Sequence, residues 1–171
     1  MFRQLSERHS RAVLDKAAEM AGWGKELPAN HGKGIAVHHS FARYAAMVVH
    51  VEVNGKAIKV HRVDCAVDCG LVLNPDIATA QIEGAVIMGM SLALNPEIRF
   101  KNGAVVNSNF HDFPVLEIGE APAEINVEFV GQNHRSTGIG EPGVPTLTPA
   151  LANAIYAASG KRCRSIPLKL T

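Results

Sequence analysis

In the stretch GIGEPGVP, residues 138–145, a single glutamate stands among glycines and prolines. Helix propensity does not place Glu141, because Gly138 and Gly140 precede it and Pro142 and Gly143 follow it. Such a turn holds a side chain at a fixed angle and lets backbone approach a ligand closely. Ile139, Val144 and Pro145 lie around the carboxylate, and burial among them favours its neutral form. That environment suits a general base whose pKa is moved toward working pH. An ordinary exposed turn glutamate is the plainer reading of these residues by themselves.

A second polar residue, Gln81, lies within the apolar run IATAQIEGAVIMGMSLAL. A buried amide left unpaired costs about 1–3 kcal/mol, so it requires a partner. Local chemistry favours a hydrogen bond to a neighbouring loop carbonyl. The functional alternative is a polar cofactor approaching where Gly84 leaves room.

His61, Cys65 and Cys69 recur every fourth residue, a metal-ligand spacing on a helix. Here they fall on or beside a β-branched run. On a strand, residues four apart are separated by roughly 13 Å. Zinc holds its ligands at about 2.0–2.3 Å, so no metal ligand is assigned. The same separation opposes a Cys65–Cys69 disulfide unless the chain turns sharply. Cys65, Cys69 and Cys163 therefore read as unpaired structural thiols. His38 and His39 point to opposite faces of a strand end. His31, His111 and His134 fall in expected loops, and all five read as surface or core histidines.

The elements that must position these groups follow from the pattern. Ser6 caps a helix over Glu7 to Ala21, with Leu14, Ala17, Ala18 and Ala21 on one face. The glycine- and proline-rich segment after it sets a boundary, residues 1–24 against 25–171. Ile35–Val37, Met47–Val53 and Ile58–Val67 read as strands, the last two joined by an Asn54-Gly55 hairpin turn. Asn74, Pro75 and Asp76 open a long helix over about 75–94, apolar all round and so buried. Gly84 and Gly89 each cost it roughly 1 kcal/mol against alanine. Close approach of another backbone or a ligand is the expected compensation. Short strands at Glu97–Phe100 and Val105–Val106 flank a turn at Asn102-Gly103, and Ile125–Val130 forms another strand. Thr148-Pro149 opens a C-terminal helix ending near Ser159, with Gly160 beyond it. The class is α+β, with a mixed or antiparallel sheet and no regular βαβ alternation.

The 171 residues suit one domain or two small ones, and the net charge of +1 argues against nucleic acid and anionic membranes. No apolar run of about 18 residues lacks a polar interruption, and the first residues lack a signal peptide's apolar core. These features lead us to expect a soluble protein with no membrane span, cytoplasmic by default, its compartment otherwise left open.

Taken together, VDCGLVLNPDIATAQIEGAVIMGMSLAL and, about fifty residues on, GIGEPGVPTLTPALANAIYAASGKRCRSIPL resemble the C-terminal region of the xanthine oxidase and aldehyde oxidoreductase family. The nearer branch is that of the large (beta) subunit of isoquinoline 1-oxidoreductase, which SNFHDFPVL also resembles. The resemblance runs from about Ser10 to Leu168. It implies part of a molybdopterin-binding domain, with molybdopterin, in some relatives its cytosine dinucleotide form, as cofactor. It also implies Glu141 as the base in hydroxylation of N-heterocycles or aldehydes, Gln81 as a hydrogen-bond partner of the pterin, and Gly140 as backbone close to the metal.

Large subunits of the family are several times longer, and most of their pterin-binding loops have no counterpart here. The expectation is therefore a portion of a large subunit that retains no cofactor and is inactive alone. It would need the remaining large-subunit domains and an iron–sulfur small subunit. The alternative is a catalytically silent structural or interaction module that self-associates or binds a partner chain.

Overall fold

β-Branched residues in the first half of the chain build an antiparallel meander of three long strands. These are β1 (His31–Ser40), β2 (Arg43–Asn54) and β3 (Ala57–Asp68). They follow helix α1 (Arg8–Met20) and precede α2 (Pro75–Leu94). A small hairpin of β4 (Phe100–Lys101) and β5 (Ala104–Val105) comes next, then β6 (Glu124–Phe129) and α3 (Gly143–Ser159). The last strand pairs parallel to β3, so the sheet is mixed, in the order β1-β2-β3-β6. This computed structural model describes residues 8–131 and 133–170. The expected cap Ser6 lies outside the described residues.

Alternation along β2 separates two cores. Ala45, Met47, Val49, Val51 and Val53 face α2 and α3, together with Val63, Cys65 and Val67 of β3. Ala46 and Val48 face the other way and pack with Ile35 and Ala66 against Val13, Leu14 and Ala17 of α1. Helix α3 lies directly on β1. A Cβ on Gly32 or Gly34 would collide with α3 backbone between Ala150 and Ala158. Asn153 fixes the contact by donating to the Ile35 carbonyl at 3.1 Å.

The long helix begins as the sequence dictates. Asn74 Oδ1 accepts the Ile77 N–H at 3.1 Å, and Pro75 occupies the first turn. Its burial differs from expectation. Ile82, Val86, Met90 and Ala93 are buried, whereas Ile77 is 62% and Met88 55% exposed. Gln81 and Gly84 lie on that same exposed side. Only the sheet and α3 cover this helix, so only one face is buried. It is long and apolar enough to cross a membrane by length and composition, but that face packs into the core.

Several boundaries also shift. Asn54 pairs with Ala57, so the hairpin turn is Gly55-Lys56, with Gly55 at φ +62°. Helix α3 starts at Gly143 rather than at Thr148-Pro149, with Pro149 inside it. Pro145 sits in the first turn and forfeits no helix bond, whereas Pro149 lies deeper in the helix; buried Gly143 packs against Ala85 of α2, which anchors the earlier start. Finally, His31 begins β1 instead of lying in a loop.

Candidate functional site

The turn carrying Glu141 is built from behind by a buried aspartate. Asp68, at the end of β3, is 1% exposed and binds three groups. His9 Nδ1 of α1 lies 2.6 Å from Oδ2, His134 Nε2 lies 2.8 Å from Oδ1, and the Gly70 N–H donates to Oδ1 at 3.2 Å. A side chain at Gly131 would strike this carboxylate, so that position must lack one. From here the two chain segments are laced together. The Leu71 N–H donates to the His134 carbonyl, and Thr137 donates both its N–H and its Oγ1 hydrogen to the Cys69 carbonyl. The sequence leaves Asp68 and Thr137 unmarked and His134 as an ordinary loop histidine. Their only signal is an acidic residue inside the apolar run before Cys69-Gly70.

Pro142 and Gly143 are buried, and the Val144 N–H donates to the Glu141 carbonyl at 3.1 Å. Thr146 Oγ1 donates to the Pro142 carbonyl at 2.7 Å. The backbone at Glu141 is thus fixed, but its side chain is 67% exposed. The desolvation expected from Ile139, Val144 and Pro145 is absent. Ile139 belongs to a different concavity, and the concavity that Glu141 lines is open to solvent.

Glu141 shares an open concavity of about 420 Å³ with His38, Ser40, Phe41, Gly140, Val144 and Pro145. Across it stands the β1–β2 turn, in which Phe41 and Ala42 have φ of +50° and +57°. Side chains resist this left-handed conformation, and its appearance in two successive non-glycine residues marks strain of the kind found at ligand sites. The turn delivers Arg43, whose Nη1 lies 3.8 Å from Glu141 Oε2. That is an ion pair beyond hydrogen-bond distance. Arg43 Nε is buried without a hydrogen-bond partner among the described residues. No turn signature in the sequence announces this arginine.

The Gln81 side chain makes no hydrogen bond among the described residues and is exposed rather than buried. The structure places it near Glu141 in topology but joins the two by no contact. Ile82, one residue after Gln81, and Ala85 pack on Gly143, two residues after Glu141. Gly140 and Gly84 have open space where a Cβ would stand. Between α2 and the turn, Cys69, Leu73, Ile77 and Ile139 line a smaller apolar concavity of about 180 Å³. Burial first, and then Asp68, push the Cys69 thiol pKa up, so it is a neutral thiol rather than a nucleophile or soft ligand. All three cysteines are unpaired. Cys65 faces the α2 and α3 core while His61 contacts Glu52 on the opposite face. The concavity therefore offers a carboxylate and open backbone, with the unpartnered Arg43 Nε beside it and the Gln81 amide outside it.

Comparison with known proteins supplies the context. The profile of the molybdopterin cofactor-binding domain family matches residues 5–122. The chain is 37% identical over 164 residues to the beta subunit of isoquinoline 1-oxidoreductase from Brevundimonas diminuta, covering 92% of this chain and 21% of that protein. Membrane-bound aldehyde dehydrogenase (pyrroloquinoline-quinone) of Gluconacetobacter polyoxogenes is 33% identical over the same shares. A nicotinate dehydrogenase subunit of Pseudomonas putida is 30% identical over 98% of this chain and 16% of its own length. Among solved structures, the aldehyde oxidoreductase of Desulfovibrio desulfuricans superposes with a TM-score of 0.60 at 25% identity, over 70% of this chain and 14% of that one. Carbon monoxide dehydrogenase from Oligotropha carboxidovorans gives 0.63 at 22% identity, over 72% and 17%, and so speaks to the fold. The chain spans about a fifth of the length of the first two curated relatives.

Proposed function

The chain belongs to the molybdopterin cofactor-binding domain family, and on that premise we propose that it forms part of the cofactor pocket of a molybdenum hydroxylase large subunit. Glu141 acts as the base, and the substrate is an N-heterocycle or an aldehyde. The carrying observation is the pairing of a carboxylate on a fixed turn with a buried donor, Arg43 Nε, that has no acceptor among the described residues. A polar anionic cofactor fits that donor in kind. When bound, the group supplies a metal that makes a nucleophile from water near neutral pH.

The chain's own residues supply the rest. Glu141 takes a proton at its carboxylate, and the Glu141 backbone is held by Val144 so that the base does not wander. Arg43 draws the carboxylate toward the concavity across 3.8 Å. Gln81 offers its amide to the pterin, and Gly140 leaves its backbone open to close approach. In this reading residues 25–171 form the cofactor-side portion, backed by the helix within residues 1–24. The remaining large-subunit domains close the open side of the concavity, and an iron–sulfur subunit carries electrons away. The pterin is molybdopterin or its cytosine dinucleotide.

The test is Glu141→Gln in a complex reconstituted with the other domains. Turnover should fall by about 10²- to 10⁴-fold with the melting temperature unchanged. Undiminished turnover with full molybdenum content rejects the role. A second reading, a silent interaction module, is favoured by the exposed apolar side of α2 and the loop before it, where Ile77 is 62% and Leu73 82% exposed. Metal analysis with size measurement on the same complex separates the two. Stoichiometric molybdenum supports the pocket, and a metal-free oligomer supports the module.

A further inference from the structure

Far from Glu141, at the opposite end of the β1–β2 hairpin, three histidines and a glutamate converge. His31 begins β1 and Ser40 ends it, so about 30 Å of strand separates this cluster from the turn beside the base. His31 pairs with Glu52 and Lys33 with His50 across β1 and β2. Period-two alternation puts all four side chains on the face that carries α1.

A β-bulge brings in the fourth member. His50 pairs with Arg62 and Val51 with Val60, which leaves His61 as the extra residue of β3. A bulge sets two successive residues against one and re-aims a side chain. Hence both His61 and Arg62 act on the α1 face. His61 Nε2 lies 2.9 Å from Glu52 Oε2, while Arg62 Nη2 donates to the Met20 carbonyl at 3.0 Å.

The neighbouring cations are already engaged. Lys33 Nζ donates to the Ala21 and Gly22 carbonyls just past α1, and Arg62 also binds the buried Asp64 carboxylate. Beyond the last turn of α1, the sheet carries imidazoles where the covered part carries Ile35, Val48 and Ala66. His31 Nδ1 lies 3.0 Å from His50 Nε2, and ligand atoms of His31, Glu52 and His61 all fall within 4.8 Å of one another.

We propose that His31, Glu52 and His61 bind one zinc-type divalent transition-metal ion, with His50 orienting His31. A zinc tetrahedron with bonds of about 2.0–2.1 Å has edges near 3.3 Å, so small side-chain rotations close the site. His50 engages His31 Nδ1, which leaves Nε2 for the metal, the arrangement in which a partner fixes a ligating ring. Asn54 Nδ2 holds Glu52 Oε1 at 2.6 Å and leaves Oε2 toward His61. Imidazole with one carboxylate selects zinc, copper or nickel over magnesium or calcium. Three protein ligands leave a fourth position for water or an incoming group. The ion ties β1, β2 and β3 together at the end that α1 does not reach.

The other histidine cluster, His9–Asp68–His134, differs in kind. Asp68 is 1% exposed and also accepts the Gly70 N–H, whereas Glu52 is 28% exposed, so the Asp68 cluster is a buried tether and serves as the control.

The purified 171-residue chain, stripped with EDTA, is titrated with zinc chloride by calorimetry and with cobalt chloride by visible spectroscopy. We expect saturation at one equivalent, and no comparable binding of magnesium chloride. His61→Gln and Glu52→Gln each weaken binding at least about tenfold, and His50→Ala weakens it by roughly 10- to 100-fold. His134→Ala leaves it unchanged. Saturating zinc raises the Tm of the parent chain by several degrees and that of His61→Gln by less. Melting curves of the metal-free proteins show which variants fold, and two isosteric ligand variants guard against one failing. The proposal is overturned by absence of a saturable site, by binding that survives both ligand variants, or by equal loss in His134→Ala.

Discussion

The two sides of α2 are nearly alike in composition and opposite in fate. One side presents Ile82, Val86, Met90 and Ala93 to the sheet and α3, each 0–2% exposed. The other presents Ile77, Gln81, Gly84 and Met88 to solvent. Its glycines make the same contrast. A Cβ on Gly89 would stand 3.2 Å from Leu147 Cβ and from the Val144 carbonyl oxygen, whereas nothing lies within 4 Å of one on Gly84. Hydrophobicity therefore states that a surface is to be covered, but not whether this chain covers it. The exposed side carries the proposed pterin amide and adjoins the turn of the base, as befits a surface that meets a cofactor and further protein.

Substitutions across the helix break or sharpen that contrast. Ile82→Ala should destabilise the chain by about 2–5 kcal/mol, the cost of a cavity at a fully buried site. The matched change on the other side, Ile77→Ala, should stay within about 0.5 kcal/mol. Equal losses in urea unfolding would mean that both sides are covered in solution. Next in size, Gly89→Val should cost about 1–3 kcal/mol through overpacking against Leu147. Smaller again, and opposite in sign, Gly84→Ala should stabilise the isolated chain by about 0.5–1 kcal/mol, because a helix gains and nothing is struck. Loss of molybdenum retention in the reconstituted complex carrying Gly84→Ala would locate the ligand that its open space serves. Unaltered retention would leave Gly84 as no more than an exposed helical glycine.

Local chemistry is legible wherever a few adjacent residues decide it. Asn74-Pro75 marks the start of α2, and Asn102-Gly103 marks a turn with φ of +51° and +78°. Gly160 ends α3 in the left-handed conformation at φ +71°. The strand runs are visible as well, along with a mixed α+β class. By contrast, the Phe41-Ala42 turn is invisible, because neither residue favours positive φ and the neighbouring pairing imposes it. The start of α3 is misread since Thr148-Pro149 mimics a helix opening, and only contact with Ala85 reveals the true first turn. Glu141 stands out by its glycine–proline frame, yet its exposure depends on walls drawn from distant segments. His61 is separated from Cys65 and Cys69 by strand geometry, but sequence spacing cannot show the bulge that turns it toward Glu52.

By itself, then, the sequence determined which segments become strands and helices, where turns such as Asn102-Gly103 close, and which two motifs carry polar groups worth weighing. Those outcomes follow from backbone sterics, capping and periodicity, all of which act within a few residues. The tertiary structure alone decided that Asp68 anchors the loop of the base, that Arg43 reaches Glu141, and that half of α2 stays bare. It also decided that three strands bring His31, His50 and His61 together. Each of these depends on residues far apart in the chain meeting in space, and on what is left without a neighbour once they do.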